Sequence, residues 1–188
     1  MRFGLKLWST NFSLLKEARN LIDRDIFQYI ELTLVPNTPI EKFLEYDIPY
    51  ILHAPTEMHG FNISDLSKIR YNMKTINECL RWADKLNAKY LIIHPGFGNI
   101  LATKKFLEKL DDNRILIENM PKAGLNNEKM VGCTVEELEK LLNSKFSLCF
   151  DINHAIKASI SLGENYKKFI KGFLKLPIRV VHISDGRL

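Results

Sequence analysis

The sequence has little cysteine and no long apolar run, and both shortages exclude classes of protein. Three cysteines among 188 residues form no CxxC pair, so we interpret them as neutral thiols in a reducing compartment, not as a disulfide framework. No stretch approaches 18 apolar residues, and the N-terminus has no apolar signal segment. We therefore expect a cytoplasmic protein with no membrane partner. The cysteines are Cys79, Cys133 and Cys149.

Charge and composition fit one ordinary globular domain. The chain is 46% hydrophobic and 26% charged, and we assign residues 1–188 to a single domain. The formal net charge is +5 and the pI is about 9.0. The lysines lie mostly on helical patterns, so the basic balance permits a polyanionic partner without demanding one.

Short apolar runs recur along the chain, and several of them, such as LIIH, ILIE and RVVHI, do not alternate with polar residues. Continuous runs of this kind are typical of strands buried on both faces, as in parallel sheets. Helical patterns lie between them, the clearest at residues 64–86. The predicted strands are 3–8, 29–35, 50–53, 90–94, 115–118, 148–151 and 179–183, and the other predicted helices are 13–24, 40–46, 103–110, 165–174 and one that opens at Thr134.

This alternation of strand and helix predicts a parallel sheet, either doubly wound or closed as a barrel. No GxGxxG or GxxxxGK[ST] loop occurs, so we favour a (β/α)8 TIM barrel over the doubly wound fold. Seven strands are predicted before the sequence ends at Leu188, one fewer than a barrel needs. We therefore expect a barrel truncated after its seventh strand, completed by further chain or by a homodimer across its open edge.

Histidines and carboxylates recur at the predicted ends of the strands. The carboxyl ends of barrel strands meet on one face, so residues remote in sequence come together there. Neutral imidazole and carboxylate are ligands of zinc, manganese and similar ions. One strand-end histidine alone is more often a hydrogen-bonded core residue, but six polar groups in register favour a metal site. The predicted ligands are His53, His94, Glu118, Asp151, His154 and His182.

Four further residues receive other interpretations. Asp185 and Arg187, in HISDGR, are predicted to contact the substrate. His59, in the MHGF loop, is interpreted as a loop residue, and Trp8 as a packing residue of the first strand.

The motifs YILHAPT, LIIHPGF, ILIENMP, LCFDINHA and VVHISD together resemble the xylose isomerase-like TIM barrels. That superfamily contains AP endonuclease family 2, whose endonuclease IV is a zinc enzyme that cleaves DNA at abasic sites during repair. It also contains metal-dependent sugar isomerases and epimerases. The HPG after the fourth strand is closer to the endonucleases.

The resemblance implies roles for the predicted ligands. In the endonuclease pattern His53, His94 and Glu118 resemble a first zinc site, and Glu118 bridges to a second zinc held by Asp151 and His182. In that pattern His154 resembles a ligand of a third zinc.

In the epimerase pattern Glu118, Asp151 and His182 would hold one Mn²⁺, Mg²⁺ or Co²⁺, with His154 near the substrate. Either pattern makes Glu118 the predicted catalytic residue, as a bridge between ions or as a proton carrier.

Two departures from the endonuclease pattern keep the function open. Thr56 stands where the resemblance implies a tyrosine that enters the DNA, and no later Asp-x-His pair or eighth-strand glutamate precedes Leu188. The sequence therefore leaves three hypotheses: phosphodiester hydrolysis in abasic DNA, isomerisation or epimerisation of a sugar or sugar phosphate, and a degenerate barrel without catalysis.

Overall fold

The computed structural model describes residues 1–184, so the predicted substrate contacts Asp185 and Arg187 lie outside the described residues. None of the helices in the described part is long and apolar enough to cross a membrane. The strands are β1 (Gly4–Trp8), β2 (Tyr29–Thr33), β3 (Tyr50–His53), β4 (Leu91–Ile93), β5 (Ile115–Glu118), β6 (Ser147–Asp151) and β7 (Ile178–His182). The helices are α1 (Leu15–Asp23), α2 (Glu41–Leu44), α3 (Ile69–Lys85), α4 (Ile100–Leu107), α5 (Val135–Leu142), α6 (Ile152–Leu162) and α7 (Tyr166–Phe173).

The strands form one seven-stranded sheet in the order of the sequence, from β1 to β7. The pairs from β1 to β4 and from β5 to β7 are all parallel. A doubly wound sheet would reverse its strand order at a switch point, whereas a TIM barrel adds each strand beside the preceding one. The observed order therefore confirms the predicted seven-stranded barrel fold and excludes the doubly wound alternative.

The chain forms two compact units, of which the first comprises residues 1–60 and 73–92. In this unit β2 is buried along most of its length, and β3 is buried throughout. The register sets Thr33 of β2 beside His53 of β3. His53 thus occupies the carboxyl end of its strand, as predicted.

The second unit comprises residues 61–72 and 93–188, and its described residues contain β5, β6 and β7. Glu118 of β5 is in register with Cys149, and Asp151 with His182 of β7. Side chains alternate along a strand, so Cys149 and Asp151 share one face of β6. Phe150 points the other way, where its ring stacks on Phe173 of α7 at 5.3 Å.

One helix, α6, was missing from the sequence prediction, which had six helices in place of the seven within residues 1–184. It begins directly at the end of β6, because the Asp151 side chain accepts a hydrogen bond from the backbone N–H of His154 and caps the helix. Its inner face buries Ala155 and Ala158. The first turn of α6 therefore joins Asp151, at the predicted strand end, to His154. This turn fixes the distance between the two residues.

Candidate metal centre

Glu118 is the centre of the polar cluster in the second unit. It ends β5 and is 2% exposed. Its Oε2 lies 3.4 Å from His94 Nε2, whereas its Oε1 lies 3.2 Å from His182 Nδ1 and 3.4 Å from His154 Nδ1. The two oxygens of one carboxylate thus face different histidines, which is the arrangement that a bridge between two ions requires.

Asp151 supplies the second buried carboxylate of the cluster. Its Oδ1 accepts the backbone N–H of His154 at 2.8 Å. Its Oδ2 lies 3.8 Å from His182 Nδ1 and 3.9 Å from His154 Nδ1. One oxygen therefore caps α6, and the other faces the same histidines as Glu118.

Asn119 holds Asp151 and His154 in place, a role that sequence reasoning missed. It is fully buried, its amide nitrogen donates to the Asp151 carbonyl at 2.9 Å, and its amide oxygen accepts the Asp151 N–H at 2.7 Å. Its own carbonyl lies 2.9 Å from His154 Nδ1. A carbonyl can only accept, so the proton is on Nδ1 and Nε2 is left as the ligand nitrogen of His154.

His182 has a polar neighbour on each ring nitrogen. Its Nδ1 faces Glu118, and its Nε2 lies 3.4 Å from the sulfur of Cys149. Burial lowers the pKa of His182, but Glu118 and Cys149 raise that pKa by more, so the net shift is upward.

Cys149 belongs to the cluster, which the sequence analysis did not foresee. The signal was its position two residues before Asp151 on one strand, which puts both side chains on one face. The other cysteines fit the prediction of neutral thiols, since burial raises the pKa of Cys79 to about 12 and that of Cys133 to about 11.

The donor atoms of the second unit fit a divalent cation. Two groups each bring three possible ligand atoms within 4.8 Å of one another. Buried carboxylates are costly without compensating positive charge, and ligand histidines supply none when neutral. A divalent ion of the zinc or manganese class would supply that charge. The groups are Glu118, Cys149 and His182, and Glu118, Asp151 and His154.

Three other residues that the sequence analysis considered, His53, His59 and Trp8, lie in the first unit. His53 is 2% exposed, and its Nδ1 lies 2.8 Å from the Ala54 carbonyl, which leaves Nε2 as a possible ligand nitrogen. Its role as a ligand stays a prediction. The ring of His59 lies 5.8 Å from that of Trp8, and burial lowers the pKa of His59. Trp8 is 36% exposed, so it is not buried as a packing residue of the first strand would be.

No protein-family model matches the chain. Among curated proteins, the chain is 28% identical over 171 residues to the probable endonuclease 4 of Mycoplasmopsis agalactiae. The alignment covers 80% of this chain and 59% of that protein. It is also 28% identical over 157 residues to the probable endonuclease 4 of Metamycoplasma arthritidis, with 72% and 54% covered. The chain thus spans little more than half the length of these relatives.

Solved structures with a similar fold include a D-tagatose 3-epimerase-like protein. It gives a TM-score of 0.72 at 20% identity and covers 98% of this chain and 76% of its own. Endonuclease IV from Thermus thermophilus gives a TM-score of 0.71 at 19% identity, with 97% and 76% covered. The two likenesses are nearly equal, so the fold alone does not choose between a nuclease and an epimerase.

Proposed function

We propose that the chain is a member of the xylose isomerase-like superfamily of TIM barrels and a metal-dependent hydrolase of phosphodiester bonds at abasic sites in DNA. Its similarity to probable endonuclease 4 proteins and to endonuclease IV supports the proposal. The observation that carries the proposal is the Glu118 carboxylate. Its Oε2 lies 3.4 Å from His94 Nε2, and its Oε1 lies 3.2 Å from His182 Nδ1. A single-ion site does not need histidines on both sides of a glutamate.

The proposed ligand assignment follows the resemblance. Glu118, Asp151 and His182 would hold one divalent ion, and Glu118 with His94 would hold a second. By the resemblance alone, His53 would be a further ligand of that second ion. A divalent metal of the zinc type polarises phosphate oxygens and lowers the pKa of water when it is bound in such a site. His154 would contribute Nε2 to a third ion.

The remaining chemistry belongs to the protein. Asn119 fixes the backbone of Asp151 and the ring of His154, so these two ligands need no reorganisation on binding. The net charge of +5 attracts a polyanionic substrate over the distance of a Debye length. The positive charge suits a DNA phosphodiester better than a neutral sugar, whereas the support from Asn119 would serve either substrate.

Nicking of a duplex with one abasic site tests the proposal. The zinc-loaded chain should cut the abasic strand. The Glu118→Gln variant should not cut it, because a neutral amide supplies no negative charge to bridge two cations. Glu137→Gln is the matched control: this carboxylate accepts backbone N–H groups of Gly132 and Cys133 outside the cluster. If the wild type binds zinc but leaves the duplex intact, the proposed reaction is wrong.

The alternative is a sugar or sugar phosphate isomerase or epimerase with one Mn²⁺, Mg²⁺ or Co²⁺. Glu118, Asp151 and His182 would hold the ion, and Glu118 would move a proton. Thr56, in place of a tyrosine that enters DNA, supports this reading. A single ion per chain, with epimerisation of a ketose measured by proton exchange, would favour it. A chain that retains no metal at all would favour the degenerate barrel.

A further inference from the structure

The imidazole of His182 lies between a carboxylate and a thiol. Its Nδ1 is 3.2 Å from Glu118 Oε1 and 3.8 Å from Asp151 Oδ2. Its Nε2 is 3.4 Å from Cys149 Sγ, within reach of a hydrogen bond to sulfur. The two nitrogens of this ring thus face different chemistry, two oxygen ligands on one side and one sulfur on the other.

The backbone holds Cys149 in this position. Its register partner is Glu118 on β5, and it shares a face of β6 with Asp151, the register partner of His182. Cys149 is 0% exposed. On the other face of the strand, Phe150 stacks on Phe173, and this contact packs β6 against α7. The sulfur therefore has little freedom to move away from the imidazole.

We propose that Cys149 is a positioning residue, whose sulfur accepts the Nε2–H of His182 and so leaves Nδ1 as the nitrogen that binds metal. The inference rests on the metal binding of the proposed function, but not on its reaction. A ligand histidine usually donates its second N–H to a neighbouring acceptor, which fixes both its tautomer and its orientation. In His154 that acceptor is the backbone carbonyl of Asn119, at Nδ1, so the two histidines bind through opposite nitrogens.

The geometry favours this role for Cys149 over direct ligation. One imidazole cannot direct both nitrogens at one ion. The Nδ1 side offers the oxygens of Glu118 and Asp151, whereas the Nε2 side faces the sulfur. An ion on the Nδ1 side gains two charged oxygen ligands, so the sulfur is left to orient the ring.

Long-range ¹H–¹⁵N spectra of the wild-type chain, without and with zinc, test the assignment directly. The zinc-bound form should show a protonated Nε2 and a metal-shifted Nδ1 in His182, with the opposite pattern in His154. A protonated Nδ1 in zinc-bound His182, or no zinc binding, would overturn the inference. If zinc binds with the expected tautomers but abasic DNA is not cut, the proposed reaction fails and the inference stands.

Substitutions of Cys149 test the energetic consequence. Cys149→Ala should raise the zinc Kd about 10- to 100-fold, the usual effect of removing such a partner, as measured by competition with a chromophoric chelator. Cys149→Ser should recover part of the zinc affinity, because a hydroxyl oxygen also accepts a hydrogen bond from Nε2–H. Cys133→Ala is the control: it removes a buried thiol outside the cluster and should leave the zinc Kd unchanged. Equal zinc Kd in Cys149→Ala and wild type would overturn the inference. So would a sulfur-to-cobalt charge-transfer band in the Co²⁺-loaded wild type that Cys149→Ala loses, because it would make Cys149 a ligand.

Discussion

Asn119→Ala removes the side chain that ties the end of β5 to the end of β6. Its amide makes two hydrogen bonds with the backbone of Asp151, at 2.9 and 2.7 Å, in a fully buried position. A buried backbone group left without a partner costs about 1–3 kcal/mol. With two such groups, the free energy of unfolding should fall by roughly 2–6 kcal/mol.

The same substitution should weaken metal binding. Without the amide, Asp151 and the start of α6 are free to shift, so the zinc Kd should rise about 10- to 100-fold. Urea unfolding followed by circular dichroism gives the stability, and chelator competition gives the Kd.

Asn126→Ala is the control for this experiment. Asn126 also bonds through its amide, to Glu128 at 2.9 Å, but the contact is exposed, and its loss should cost under about 0.5 kcal/mol. If Asn119→Ala were as stable as Asn126→Ala and bound zinc like the wild type, the supporting role assigned to Asn119 would be refuted.

Two further predictions concern charge and pH. Asp151→Asn should keep the cap on α6 through its amide oxygen but lose a negative ligand, so calorimetry should give a weaker zinc Kd with little change in melting temperature; an unchanged Kd would contradict the assignment. Burial holds the pKa of His59 below its usual value of 6.5, so the unfolded chain binds this proton more tightly and stability should fall as pH drops below about 6.5; His59→Gln should flatten that dependence, and an identical pH profile would argue against it.

The fold could be predicted from the sequence because strands that are buried on both faces have continuous apolar runs. Continuous runs such as LIIH and ILIE gave every strand to within a few residues at either end. Strand-end position also predicted that His94, Glu118 and His182 lie close together, since parallel strands bring their carboxyl ends to one edge.

The parts that were missed depend on tertiary contacts or on a residue with two roles. Asp151 both ends β6 and caps α6, so no loop separates the elements and the helix was overlooked. No sequence motif marks Asn119 or Cys149 as a residue that supports a metal ligand. Their roles arise from partners 32 and 33 residues away in the chain.

Anomalous diffraction at the zinc absorption edge, from crystals of the zinc-loaded chain, tests the central claim most directly. If Glu118 is a bridge, the map should contain two peaks at Glu118, one beside each of its carboxylate oxygens, and these two peaks should disappear or merge into one in Glu118→Gln. A single peak beside one oxygen in the wild type, or none, would contradict the bridge.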